Sequence, residues 1–314
     1  MNESAGEIYD IGYQRYTGPR EGRMRARKAL FTNGIRTILG LGRGILPKVF
    51  PTVFASIAVL IAVNFAIVSS QGIPTDDLPD AAVFYRVVAY FMVLFSAIIA
   101  PDLVCPDRRS NVIHLYLVRP MSPTDYVATR WLAAFAFTLA ILYIGQAVLF
   151  SGMTLGADEP LDYVRDNWLD IPRFLLGGLV LALYAATIPL AVSAFTTRRG
   201  YAQAFIIGLF FISVPVTAVF TKCEEFEEQQ RGEFMEFVEV KCEPVAGTYT
   251  KWVALGDLTR VPVHVADLVF DKENSSNLSR LVRELPDFVP VGWFAILIAG
   301  SGFTMWWRYQ RIAL

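Results

Sequence analysis

The chain has 314 residues, 54% of them hydrophobic and 18% charged, with a formal net charge of −1 and a mean hydropathy of +0.43. Soluble domains carry about a quarter charged residues, so this composition excludes an ordinary soluble domain, and the near-neutral balance excludes a globally basic nucleic-acid binder. What remains is the membrane class, in which local charge is informative and the total is not.

Residues 11–48 carry nine basic side chains, Arg15, Arg20, Arg23, Arg25, Arg27, Lys28, Arg36, Arg43 and Lys48, against one acid, Glu21. By the positive-inside rule this end is expected in the cytoplasm, and no apolar signal segment precedes the first apolar run. Within it, residues 30–46 place Leu30, Phe31, Ile35, Ile38, Leu39, Ile45 and Leu46 at helical spacing, with Arg27, Thr32, Arg36 and Arg43 largely on the other side. That pattern predicts an amphipathic helix. It either lies in the bilayer interface with its basic face near anionic headgroups or docks on a partner as a soluble helix. The immediate entry into the first apolar run through Pro47 favours the interface.

Crossing the hydrocarbon core takes roughly 20 apolar residues in a helix, because every backbone polar group must be paired inside the segment. Six stretches qualify, at about 50–69, 83–99, 131–150, 174–195, 201–220 and 288–307. The second contains Arg86 near its start, expected to snorkel to the interface, and Pro101 and Asp102 close it. The intervening charges alternate as six spans require. Asp76, Asp77 and Asp80 fall outside, then Arg108, Arg109, Arg119 and Arg130 inside, then Asp158, Glu159, Asp162, Asp166 and Asp170 outside. Arg198 and Arg199 return inside, residues 221–287 are acid-rich outside, and Arg308 and Arg311 end inside. Both termini are thus expected in the cytoplasm, with residues 1–49 as a cytoplasmic segment and 50–314 as the transmembrane domain. Trp131, Trp306 and Trp307 fall at inner boundaries, where amphipathic rings are favoured.

Between the second and third spans the chain reads PDRRSNVIHLYLVRPMSPTDYVATRW, residues 106–131. Ser122, Pro123 and Asp125 form a helix start, with a hydroxyl at the N-cap, proline at N1 and an acid at N3. The third span is therefore expected to begin near Pro123, well ahead of its apolar part. Upstream, SNVIHLYLV has room for about two helical turns. Six of its nine residues are apolar, Val112, Ile113, Leu115, Tyr116, Leu117 and Val118, rimmed by Arg108, Arg109 and Arg119. Such a segment is suited to pressing into a groove on another protein, and its apolar content argues against a solvated connector.

The outer stretch 221–287 is far longer than a helix connection needs. Cys223 and Cys242 both lie in it, and an oxidising outer face allows a disulfide between them, whereas Cys105 on the reducing side should stay a thiol. Residues 233–240, EFMEFVEV, alternate like a strand.

Several chemistries lack their residues. None of the six lysines (Lys28, Lys48, Lys222, Lys241, Lys251, Lys272) follows a glycine, so no GxxxxGK[ST] phosphate loop exists. His114 and His264 fall on opposite sides of the membrane and no Cys-x-x-Cys is present, so no metal site is expected. Inside the spans Asn64, Gln146 and Gln203 either line a path or, more commonly for such residues, bond between helices.

Taken together, the N-terminal YQRYTGPREGRMRARKAL, the block APDLVCPDRRSNVIHLYLVRPMSPTDYV and the order of six spans with a long outer loop before the last resemble the membrane permease subunits of type-two ATP-binding-cassette (ABC-2-type) exporters. The resemblance covers nearly the whole chain. It implies an all-α polytopic fold with a basic connecting helix at 30–46 and a short cytoplasmic coupling helix at about 108–118. It also implies ATP and Mg on a separate ATPase chain, no cofactor in this one, and a second permease copy or paralogue around one path. The residues expected to meet the ATPase are Arg108, Arg109, Val112, His114, Leu115, Tyr116 and Arg119. The competing reading is a membrane-embedded enzyme or assembly factor without an ATPase, which would want titratable groups clustered at one membrane depth. An inverted repeat with midplane charges, the mark of a secondary transporter, is absent.

Overall fold

The computed structural model describes residues 18, 22–69, 80–118, 121–224, 243–272 and 276–313. In chain order the elements are α1 (Arg23–Ile38), α2 (Leu46–Ser69), α3 (Ala81–Arg109), α4 (Val112–Val118), α5 (Pro123–Gly156), α6 (Pro160–Asp166), α7 (Asp170–Ser193) and α8 (Arg199–Thr221). There follow β1 (Cys223–Glu224), β2 (Glu243–Pro244), α9 (Thr250–Ala254), α10 (Val261–Phe270), α11 (Asn277–Arg283) and α12 (Phe288–Ala313). The fold is helical apart from the two-residue antiparallel ladder, which pairs Cys223 with Pro244 and Glu224 with Glu243. Cys242 and the expected strand at 233–240 lie outside the described residues.

Six helices are long and apolar enough to cross a membrane, α2, α3, α5, α7, α8 and α12, matching the six apolar stretches in order. Their burial is uneven. The most apolar windows of α3 and α7 are 67% buried, those of α8 and α12 only 17%, so α3, α5 and α7 form the centre and α8 and α12 flank it. Tyr85, Tyr184, Phe84 and Phe95 fill that centre almost without exposure. Their polar tips are answered: Tyr85 Oη donates to the Phe174 carbonyl at 2.6 Å and Tyr184 Oη to the Leu258 carbonyl at 2.7 Å. In a medium without water such pairing is obligatory.

The second span is longer than its apolar run. α3 continues through Pro101, Asp102 and Pro106 to Arg109, 29 residues in all. At 1.5 Å per residue it is about 43 Å long, well beyond a hydrocarbon core of about 30 Å. Its last turns therefore stand clear of the bilayer. α5, at 34 residues, projects likewise, and it starts where the Ser122–Pro123–Asp125 signal places it.

Two local readings are corrected and one element is added. The amphipathic helix covers Arg23–Ile38 rather than 30–46, because the chain turns at Gly40. That residue has φ +64°, the Gly40 amide bonds the Thr37 carbonyl at 3.1 Å and the Leu41 amide bonds the Arg36 carbonyl at 2.9 Å. These are the two hydrogen bonds of a Schellman stop with glycine in the left-handed position. A Cβ there would lie 2.5 Å from the Pro47 carbonyl carbon. Arg86 does not snorkel; its Nε meets Asp267 Oδ1 of α10 at 2.8 Å. And α10, which periodicity did not reveal, is a nearly buried apolar helix packed on α7, α3 and α12.

Close helix approach gives one stability prediction. At Gly145 of α5 a Cβ would lie 2.5 Å from Phe84 Cζ of α3, and Phe84 is fully buried. Overpacking costs about 1–3 kcal/mol, more than the few tenths by which valine's helix propensity improves on glycine's. Gly145→Val is thus expected to lower the melting temperature in detergent, and an unchanged melt would contradict the tight α3–α5 contact.

Candidate functional site

One end of the bundle gathers the basic residues of α1, the tips of α3, α5 and α12, and the α7–α8 turn. Here the helix start of α5 does more than cap itself. Ser122 Oγ accepts from the Asp125 amide at 3.2 Å while Asp125 Oδ2 accepts from the Ser122 amide at 3.0 Å, a reciprocal capping box. The same carboxylate takes Arg23 Nε at 2.6 Å and Arg27 Nη2 at 2.5 Å. These arginines are one turn apart on α1, so the two share a face and converge on one acceptor. Asp125 therefore clamps α1 to α5.

A second carboxylate joins four elements. Asp107, near the end of α3, accepts from Arg130 Nη2 of α5 at 2.5 Å and from Tyr126 Oη at 2.8 Å. The Arg130 side chain is 4% exposed, and its Nε and Nη1 have no hydrogen-bond partner among the described residues. The guanidinium carbon lies 5.7 Å from the Tyr126 ring centre. Tyr126 in turn packs against Tyr309 of α12 at 5.4 Å and Tyr116 of α4 at 5.9 Å. Asp102 completes the layer by pairing with Arg43 at 3.0 Å and Arg199 at 3.2 Å, which ties the α1–α2 turn to the start of α8.

On this bonded layer stands α4. It follows a turn in which Asn111 takes φ +55°, a left-handed conformation that asparagine tolerates. Ile113 is buried and Tyr116 half-buried on the inner side, whereas His114 and Leu115 face outward, Leu115 68% exposed. Burial, with Asp107 adding, pushes the Tyr116 phenol up, so it stays neutral. Val112 lies between the two faces. Arg119 lies outside the described residues.

The arginine pair ahead of α4 divides. Arg109 is exposed and borders a groove of about 1060 Å³ with Thr197, Arg198 and Arg199. Arg108 turns inward instead of standing on the rim. It donates through Nη1 to the Ala194 carbonyl and, at 3.2 Å, to the Thr196 carbonyl, satisfying acceptors left open where α7 ends.

The polar residues of the spans lie apart from this layer. Gln146 is buried and donates to the Ala81 carbonyl at 2.9 Å; Gln203 donates to the Ile98 carbonyl at 3.4 Å. Both are bonds between helices. Asn64 is exposed on α2. Among the described residues no group of three or more His, Cys, Asp or Glu side chains could hold a metal ion. Sequence reading found the cap and α4 but not the Asp107–Arg130 pair, the double arginine clamp or the inward Arg108, since each pairs residues distant in sequence. Comparison with protein-family models and with curated proteins found no match.

Proposed function

We propose that this chain is the membrane permease subunit of an ABC-2-type exporter, driven by a separate ATPase chain that binds ATP and Mg. The observation that carries the reading is α4: a short helix held on a cross-linked layer, with Leu115 and His114 left outward and covered by none of the described residues. In this reading the basic end is cytoplasmic. ATP-driven closure of the ATPase subunits presses on α4. Ile113 and Tyr116 pass the displacement to Tyr126, and the Asp107–Arg130 pair distributes it to α3 and α5 together. A rigid layer suits such a role because packed interfaces shift between discrete arrangements rather than deforming smoothly. Arg109 at the rim steers encounter with an acidic surface, so its loss is mild and salt-sensitive.

Asn64 supports a second permease copy or paralogue. It is exposed among Leu60, Val63 and Ile67 about one turn inside the end of α2, without a hydrogen-bond partner among the described residues. An amide facing lipid alone is unfavourable, and a neighbouring helix would satisfy it.

The test is gentle affinity purification of the full chain from its native membrane. A co-purifying chain whose own sequence holds GxxxxGK[ST] and which hydrolyses ATP is expected. A preparation that is pure, folded and free of any nucleotide-binding chain would favour the competing reading of an ATPase-independent enzyme or assembly factor.

A further inference from the structure

At the basic end a cleft of about 470 Å³ opens between α7, α8 and α12, with Val192, Phe195, Tyr201, Phe205 and Thr304 among its walls. Its lining is mostly apolar and it opens outward, with Phe195 52%, Tyr201 64% and Phe205 62% exposed. Ile188 of α7 and Phe195, in the turn just past its end, both border it, and about seven residues at helical rise span about 10 Å. One leaflet is about half of a 30 Å hydrocarbon core, so the cleft runs through most of a leaflet's acyl depth.

Its mouth is cationic. The Arg308 guanidinium carbon sits 5.9 Å from the Phe195 ring centre, and that of Arg198 sits 5.5 Å from the Tyr201 ring centre. Arg308 Nε is buried without a hydrogen-bond partner among the described residues. Neither arginine has a carboxylate partner among the described residues. The nearby acids are engaged elsewhere, Asp102 with Arg43 and Arg199, and Asp107 with Arg130. Two cations above an apolar, membrane-depth slot match one kind of molecule, an amphiphile with an anionic head and a hydrocarbon tail.

We propose that this cleft binds an anionic phospholipid of the leaflet at the basic end. Its phosphate lies between Arg198 and Arg308, and one acyl chain runs along Val192, Phe205 and Thr304. The site needs only the membrane and these residues, so it is independent of any ATPase partner. A zwitterionic lipid fills the slot equally well but brings its own cation to the two arginines, which removes the electrostatic gain.

Native mass spectrometry of the full chain in detergent, with phosphatidylglycerol and phosphatidylcholine of identical chains, tests this. The expected result is preferential retention of phosphatidylglycerol, with the preference falling about fivefold for each arginine removed in Arg198→Gln, Arg308→Gln and their combination. Thr304→Trp keeps the charges and fills the slot, so it is expected to lower retention of both lipids. Lys28→Gln with Arg36→Gln, on the exposed face of α1, is expected to leave the preference in place. Equal retention of the two lipids by the parent chain would overturn the proposal. So would a preference untouched by the double arginine variant, or one lost only in the α1 variant. Competition by soluble glycerophosphate as strong as by the lipid would also overturn it, since that is a free-phosphate site without use for the cleft.

Discussion

Asp107→Leu is expected to destabilise the protein by about 3–5 kcal/mol, the usual consequence of leaving a buried charge without its partner. Arg130 is the reason. Its side chain is 4% exposed, and among the described residues two of its three nitrogens lack hydrogen bonds and Asp107 is the carboxylate that pairs with it. The same substitution removes the acceptor of Tyr126 Oη. Thermal or denaturant unfolding in detergent would measure the loss. The informative control is the double replacement Asp107→Leu with Arg130→Met, which removes both charges and is expected to recover most of the stability, because well-packed apolar residues commonly replace buried ion pairs at little cost. A double variant as unstable as the single one would mean that Arg130 is held by packing rather than by Asp107.

Under the proposed function, Leu115→Asp is expected to leave folding and membrane insertion intact and to weaken association with the proposed ATPase by about 2 kcal/mol or more, roughly thirtyfold, the scale for losing a central interface anchor. The expectation of intact folding rests on an exposed side chain with no role in either core contact of α4. Tyr116→Ala is the contrasting case. Tyr116 packs on Tyr126 within this chain, so its loss should lower both stability and association. Co-purification combined with unfolding measurements separates the two, and equal behaviour of both variants would contradict the assigned faces of α4.

Much of the architecture is written in local patterns. The six spans follow from runs of apolar residues that a bilayer makes unambiguous, and the start of α5 follows from three residues whose side chains cap their own backbone. Other features escape because their cause is distant in sequence. Asp125 reads as an N3 acid, yet its strongest partners are Arg23 and Arg27, about 100 positions earlier. Arg86 reads as a snorkelling side chain, yet Asp267 faces it from α10, a helix of 10 residues. That length is half of what a span requires, so hydropathy passes over it. At α1 the periodicity of apolar residues continues past the true helix end, and Gly40 was the available signal that it should not. Arg108 shows the limit of composition: beside an exposed Arg109 it looks like rim charge, and only the position of the α7 C-terminus turns it inward.

The central claim is that α4 is the face through which a nucleotide-binding partner acts. A photo-crosslinking side chain placed at position 115 of the full chain, in its native membrane, addresses it directly. Crosslinking from that position to a chain whose sequence contains GxxxxGK[ST], and none to that chain from position 212 on the exposed, apolar side of α8, is the result the account predicts. Efficient crosslinking at 115 that reaches only lipid, or only proteins without a nucleotide-binding site, would contradict it.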